Sequence, residues 1–241
     1  LSDKFSLETR TNFSVVGQNS SFVPALNTNN IPVLAIGRLP IDNPYNEDGS
    51  YNTNLRGALG PIAHPRAIIE YNTNLGTTMQ GIGNFALNYD ILPGLRFRSS
   101  YGLEFTEIAE ESFSDPRTPA GSAGSVTDFL NTRVVNWQTD QTLNLNKTFK
   151  QKHNLQALAG FNYRSEALNS ITLRGNNAAT PAFKRTLAGT TAVTMTTAYT
   201  AWRLASVFGR LQYNYDEKYI ASLTLRRDGV SRFGRNKRFG Y

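Results

Sequence analysis

Chemistry in this chain would have to come from a few charged side chains, because the residues that usually hold metals or attack substrates are scarce. There is no cysteine, and the only histidines are His64 and His153. Thiolate zinc sites, disulfide frameworks and histidine-rich metal centres are therefore excluded. No Gly-x-Ser-x-Gly or Cys/His arrangement occurs, so no catalytic residue and no cofactor is expected. Asp42, Glu47, Asp48 and Asp115 do not follow the spacing of an EF-hand loop, and Asp48-Gly49 reads as a turn. Two carboxylates such as Glu104 and Asp140 do not make a glycosidase without a defined separation. What remains is arginine. Arg96, Arg98, Arg164, Arg203 and Arg210 are dispersed, whereas Arg226, Arg227, Arg232, Arg235, Lys237 and Arg238 cluster around Phe233 and Phe239. Such a cluster suits anionic partners, nucleic acid among them. Its meaning depends on the elements that carry it.

The 241 residues are 39% hydrophobic and 18% charged, with a net charge of +7. Asn and Thr supply about two dozen residues each, so uncharged polarity replaces the usual ~25% charge. The longest near-apolar run, residues 31–36, is interrupted by Pro32, far short of the roughly 20 apolar residues of a membrane helix. Leu1 to Ser6 show none of the parts of a signal peptide. Length alone would suggest one or two soluble domains.

Periodicity points elsewhere. Phe5, Leu7, Thr9, Thr11, Phe13 and Val15 alternate with Ser6, Glu8, Arg10, Asn12 and Ser14, which predicts a strand of about a dozen residues. The same period of two recurs from Met79 to Asp90, Leu95 to Phe105, Val135 to Phe149, Asn154 to Arg164, Ala201 to Tyr215 and Tyr219 to Asp228. Phe208 falls on the polar side of the sixth strand, which implies a bulge or an inward aromatic. Pro93-Gly94, Lys150 to Lys152 and Asp216 to Lys218 make short turns. The other connections are long: about 60 residues from Gly17 to Thr78, about 26 from Glu107 to Thr132, and about 33 from Ala167 to Thr200.

Long connections on one rim and short turns on the other are the pattern of outer-membrane barrels. Eleven residues at about 3.3 Å each, tilted by about 40°, span about 28 Å, enough for the apolar band of about 25 Å. The chain therefore reads as all-β: a transmembrane antiparallel meander β-barrel, multi-pass in the cell outer membrane. Phe85, Leu87, Leu143, Phe161 and Leu223 should face lipid, and Asn84, Asn144 and Thr224 the lumen. Tyr89, Phe149, Tyr213, Tyr215 and Tyr219 sit where a periplasmic aromatic girdle belongs, and Trp137, Tyr163 and Trp202 where an extracellular one does. Seven strands cannot close around a loop of that size, so the chain reads as part of a barrel.

The segment Gly209 to Gly240, GRLQYNYDEKYIASLTLRRDGVSRFGRNKRFG, resembles the central barrel hairpin of the SusC/RagA family of TonB-dependent outer-membrane transporters. Tyr213, Tyr215, Tyr219, Arg226, Asp228, Gly229, Ser231, Phe233 and Gly234 fit its pattern, whereas Val230 stands where the family often has Ser. NPYNEDGSY, Asn43 to Tyr51, looks like its extracellular-loop element, and LPGLRFRSSYGLEF, Leu92 to Phe105, like its recurring hairpin. The resemblance implies a plugged barrel of about 22 strands, of which residues 1–241 would be a partial barrel domain lacking the plug and N-terminal domains. It also implies a SusD-like surface lipoprotein and import of a glycan or peptide with energy delivered through TonB.

In that setting Arg96, Arg98, Glu104, Asp140, Arg164, Arg203 and Arg210 line the lumen and touch plug or ligand, although a wet lumen tolerates charge without function. Arg226, Asp228 and Arg232 belong to the basic rim, where the simpler reading is a solvated loop pinned by Arg226 to Asp228. The functional reading is attraction of anionic ligands or of lipopolysaccharide phosphates, and nucleic acid is set aside. The pentapeptide Tyr-Asn-Thr-Asn-Leu at Tyr51 and Tyr71 is too little for a repeat architecture. The alternatives are a passive outer-membrane porin and a soluble all-β adhesin or carbohydrate-binding module.

Overall fold

The computed structural model describes residues 3–19, 31–53, 55–57, 60–62, 64–234 and 237–240, with backbone only at 33, 56–57 and 60–62. One antiparallel sheet dominates. Its strands are β1 (Phe5–Asn19), β4 (Thr73–Leu92), β5 (Leu95–Ser114), β6 (Val126–Phe149), β7 (His153–Asn176), β8 (Ala192–Tyr215), β9 (Tyr219–Val230) and a two-residue β10 (Phe239–Gly240). They pair in the order of the chain, as a meander. Between β1 and β4 lie helix α1 (Ile31–Gly37), the small hairpin β2 (Leu55–Gly57) and β3 (Gly60–Ile62), and helix α2 (Pro65–Tyr71).

The register is continuous from β1 to β9, with one shift between Asp90 and Leu92. Because side chains alternate across a strand, this register aligns whole rows. One row runs Leu7, Leu87, Ser99, Gln141, Phe161, Val207 and Arg227. The row two residues closer to the short turns includes Phe5, Tyr89, Phe97, Leu143, Ala159, Gly209 and Leu225. Phe85, Leu87, Leu143, Phe161 and Leu223 therefore share one face, and Asn84, Asn144 and Thr224 the other, as the periodicity predicts. The large apolar strand residues exposed to the surroundings, from Leu7 (54% exposed) to Leu225 (68%), lie on the first face, with Val16 and Ile220 the exceptions. A soluble sheet would bury that face against a second layer, and none is present among the described residues.

The short turns end in an aromatic belt. Phe149 stacks on His153 at 5.1 Å, His153 meets Tyr215 at 5.0 Å, and Tyr215 stacks on Tyr219 at 6.4 Å. His153 Nδ1 and Tyr213 Oη lie 2.6 Å apart. Lys150, Gln151, Asp216 and Glu217 adopt positive φ in the two three-residue turns, and Gly94 does so beside Pro93. A Cβ on Gly94 would fall 2.2 Å from the Asn146 carbonyl oxygen, so this hairpin requires glycine. At the opposite level of the apolar face Trp137 and Tyr163 lie 4.8 Å apart.

Two expectations need correction. Strands β6, β7 and β8 each have 24 residues, about 60 Å along the normal at a 40° tilt, so they rise well past the apolar band. The connections are shorter accordingly: 115–125 and 177–191 instead of about 26 and 33 residues. Strand β8 also has the opposite phase around residue 202. Trp202 pairs with Glu166 on the polar face and Arg203 with Ser165 on the apolar face. Arg203 is therefore not a lumen residue and Trp202 not a girdle residue. Phe208 lies inward without a bulge, its ring packed where a Cβ on Gly160 would sit.

The two faces should respond oppositely to charge. Leu143→Arg is expected to destabilise the folded protein by about 2–4 kcal/mol, and Asn144→Arg by close to nothing. Urea unfolding of the two variants in liposomes checks this, and equal losses would contradict the assigned faces.

Candidate functional site

The polar face is a wall of cross-strand charge and amide pairs. On its β1–β4–β5 side Arg96 grips Asp90 through two bonds of 2.6 and 2.9 Å. Arg98 donates to both Glu8 oxygens at 2.8 and 2.9 Å and to Asn88 Oδ1 at 2.8 Å. Glu104 accepts from Gln80 at 3.1 Å and Asn136 at 3.5 Å. Asp140 accepts from Asn162 at 2.6 Å. On β8 and β9 Arg210 donates to Gln212 at 2.9 Å. Arg226 holds Asp228 at 2.8 Å, reaches the buried Ser206 hydroxyl at 3.2 Å, and lies 5.6 Å from the Phe208 ring centre. Arg164 and Arg232 converge on Trp202, at 5.4 and 5.3 Å from its ring centre.

Glu104, Asp140 and Arg210 keep to amide neighbours of their own, and the other inward candidates form three groups. The Arg96, Arg98 and Glu8 group belongs to β1, β4 and β5. Three strand spacings to β8 and four to β9, about 14 and 19 Å, separate β5 from the Arg226–Asp228–Ser206 group. The third, Trp202 with Arg164 and Arg232, joins β7 and β8 to the 231–238 loop. The basic cluster is not one patch: Arg226 faces the polar side, and Arg227 lies on the apolar side, 4.6 Å from the Phe239 ring centre. Arg235 lies outside the described residues. The Arg226–Asp228 contact is present, although it joins strand side chains and does not pin a loop.

Above the sheet, the long connections interlock into a canopy that the sequence pattern does not reveal. Leu34 and Ile68 form a small core between α1 and α2, with Ile31 against it. His64 caps α2: Nδ1 accepts from the Arg66 and Ala67 amides at 3.1 and 3.4 Å, and Pro65 takes the first helical position. Tyr45 and Tyr51 flank the His64 ring at 5.8 and 4.8 Å. Tyr51 donates to Glu70 at 2.6 Å, which raises its pKa, and it accepts from Arg66. The first residues of the two Tyr-Asn-Thr-Asn-Leu copies meet, with Tyr51 and Tyr71 edge to face at 5.6 Å. The second copy runs into β4 whereas the first does not form a long strand, so the two are no structural repeat.

A second connection docks on this one. Asn72 Oδ1 accepts from the Asp115 amide at 2.8 Å and the Thr118 hydroxyl at 3.1 Å, and Arg117 lies 3.6 Å from the Tyr71 ring centre. Asp115 is fully buried. Burial pushes its pKa up, but the Arg117 guanidinium and amide outweigh it and hold the carboxyl below its ordinary range. Asp48 accepts from the Ser50 amide and hydroxyl at 2.9 and 2.6 Å beside Gly49 at positive φ, a turn and not a cation site. No cluster of three or more metal-ligating side chains occurs among the described residues.

Sequence comparison relates the chain to TonB-dependent receptors of Formosa agariphila. It is 28% identical to receptor P26 over 251 aligned residues, covering 100% of this chain and 24% of the relative. It is 30% identical to receptor P3 over 202 residues, covering 82% and 20%. The chain thus spans about a quarter or less of the length of these relatives. No family model matches. Among solved structures, the fold superimposes on the RagAB peptide transporter with a TM-score of 0.82 at 18% identity, over 100% of this chain and 28% of that one. It also superimposes on the RagAB peptide importer in its open-open state at 0.77 and 17%, covering 100% and 27%.

The canopy should weaken in acid. Burial first, and then the charges of Arg38 and Arg66, lower the His64 pKa below 6.5. Its neutral form is favoured in the folded state, so stability is unchanged above about pH 6.5 and falls as pH drops through that value. Protonation also removes the acceptor that caps α2. Proteolysis between residues 31 and 72, normalised to an unfolded peptide, should accelerate from pH 7.5 to 5.5. In His64→Ala it should be fast at both, and a wild-type rate independent of pH would refute the cap.

Proposed function

We propose that this chain, a segment of the outer-membrane barrel of a TonB-dependent receptor of the SusC/RagA type, forms part of the wall of a nutrient importer that takes up a glycan or a peptide. The observation that carries this reading is the one-sided sheet: an uncovered apolar face backed by a wall of paired charges and amides. Only a bilayer outside and water inside suit such a sheet, and its two free edges must pair with further strands, because unpaired backbone is not tolerated in hydrocarbon. The whole segment is then barrel domain, with plug and TonB-contacting parts elsewhere in the receptor.

The pairing on the polar wall supports a plugged lumen. Arg96 with Asp90 and Arg98 with Glu8 are already neutralised, which suits a protein surface sliding against them. Near the long-loop end Arg164, Trp202 and Arg232 combine an aromatic face with guanidinium donors, groups that serve sugars and peptides alike. A SusD-like lipoprotein would close over the canopy. The RagAB structures are named as a peptide transporter and importer, which favours peptide as readily as glycan.

Uptake is expected to stop when the receptor gene is deleted and equally when TonB is depleted, and a SusD-like lipoprotein should co-purify with the receptor. Radiolabelled uptake in the two strains, with peptide and glycan pools as substrates, checks this. Uptake that persists without TonB would identify a passive porin instead.

A further inference from the structure

We propose that the outward side of β8 and β9 binds the phosphorylated headgroup of the outer leaflet's glycolipid, through the guanidinium groups of Arg203 and Arg227. The inference rests on the outer-membrane barrel reading and adds to it a site outside the lumen.

The two arginines share the apolar face. Arg227 pairs with Val207, in the row of Phe161 and Leu87, and Arg203 pairs with Ser165, in the row of Trp137 and Leu103. Both are exposed. Arg227 lies eight residues along β9 from the aromatic belt at Tyr219, and Arg203 twelve along β8 from Tyr215. At about 2.5 Å of height per tilted residue, these positions are about 20 and 30 Å above the belt, at the upper edge of a band about 25 Å tall. A guanidinium on the lipid face is unfavourable unless its head reaches an anionic or aqueous layer, and a long side chain just below the interface does reach it.

The surroundings specify which anion. Arg133, outward and sixteen residues above Phe149 on β6, is clear of the band and pairs with Glu107 at 3.6 Å. Among the described residues no carboxylate lies within ion-pair distance of Arg203. Backbone bonds to Ser231, at 2.8 and 2.9 Å, fix the start of that side chain. The Phe239 ring lies over Gly229 and 4.6 Å from the Arg227 guanidinium, which orients its donors along the surface. From the register, the two Cα atoms are about 14 Å apart, a span suited to a disaccharide bearing a phosphate at each end. Tyr163 on the adjoining strand β7 and Trp137 on β6 beyond it stand at the level of Arg203 and offer ring faces to the sugars. Phosphate accepts several guanidinium bonds at once, so one anion can be shared by two arginines.

The test uses the complete receptor extracted from outer membranes, with co-purifying bis-phosphorylated lipid A measured by native mass spectrometry. Arg203→Gln with Arg227→Gln should lower its retention by about fivefold per charge removed, Arg133→Gln should leave it unchanged, and Arg227→Lys should keep most of it. Wild-type receptor in nanodiscs should prefer lipid A to its dephosphorylated form and to phosphatidylglycerol. Equal retention by the double Gln variant, or equal binding of dephosphorylated lipid A, would overturn the site. So would unchanged lipid together with loss of a co-purifying protein, which would make this face a protein contact. Heat-modifiable electrophoretic mobility reports barrel insertion separately: if the wild type fails there, the barrel reading falls with the site, whereas an inserted wild type that retains no lipid A refutes the site alone.

Discussion

Everything in this molecule depends on one constraint: in hydrocarbon, backbone amides and carbonyls must find partners in neighbouring strands. The almost unbroken register from β1 to β9 satisfies it. The register then dictates the side chains, because a slip by one residue would turn Leu143 inward and Asn144 towards lipid. Three short turns hold it. Gly94 gives the close approach to Asn146, and the positive-φ pairs Lys150-Gln151 and Asp216-Glu217 reverse the chain in the same way at two successive hairpins.

Once the backbone is paired, the polar wall has a narrower problem, which is to hold arginines without leaving them free to collapse on one another. Cross-strand register solves it at Arg98, whose partner Glu8 lies two strands away, with Asn88 on the intervening strand bonded to both. Exposed ion pairs add little stability individually. Their value here is positional, since each keeps a long side chain flat on the wall. Arg164 and Arg232 lie against the Trp202 ring instead, and among the described residues neither forms an ion pair.

Much of the sheet was legible because lipid enforces a strict period of two. The seven long strands, their short turns and the facing of Phe85, Leu143 and Thr224 all follow from it. The strand tops were not legible, for the same reason. Past the band the outward positions are Glu107, Arg133, Asn169 and Tyr199, so the alternation that defines a strand in sequence ends although the hydrogen bonding continues. The phase of β8 was misread because both its faces are apolar at that height: Trp202 and Leu204 inward, Ala201 and Ala205 outward. Of the candidate site, Arg96, Arg98, Arg164, Arg210 and Arg226 share the polar face and Arg203 lies on the other. Their partners were not legible, because Glu8 and Arg98 are ninety residues apart in sequence.

The canopy follows a different logic from the sheet. It has water above it, so it needs a core of its own, and Leu34 with Ile68 supplies only a small one. The remaining order comes from polar groups used twice. Asn72 ends α2 with its backbone N–H and fastens Asp115 and Thr118 with its side chain, while His64 starts the same helix within a ring of tyrosines. Lys184 from the third connection adds a bond to the Glu70 carbonyl at 3.4 Å. A lid tied by so few shared groups can be released by changing one of them, whereas the sheet below changes only as a whole. The division leaves the connections free to rearrange without disturbing the pairing of the strands beneath them.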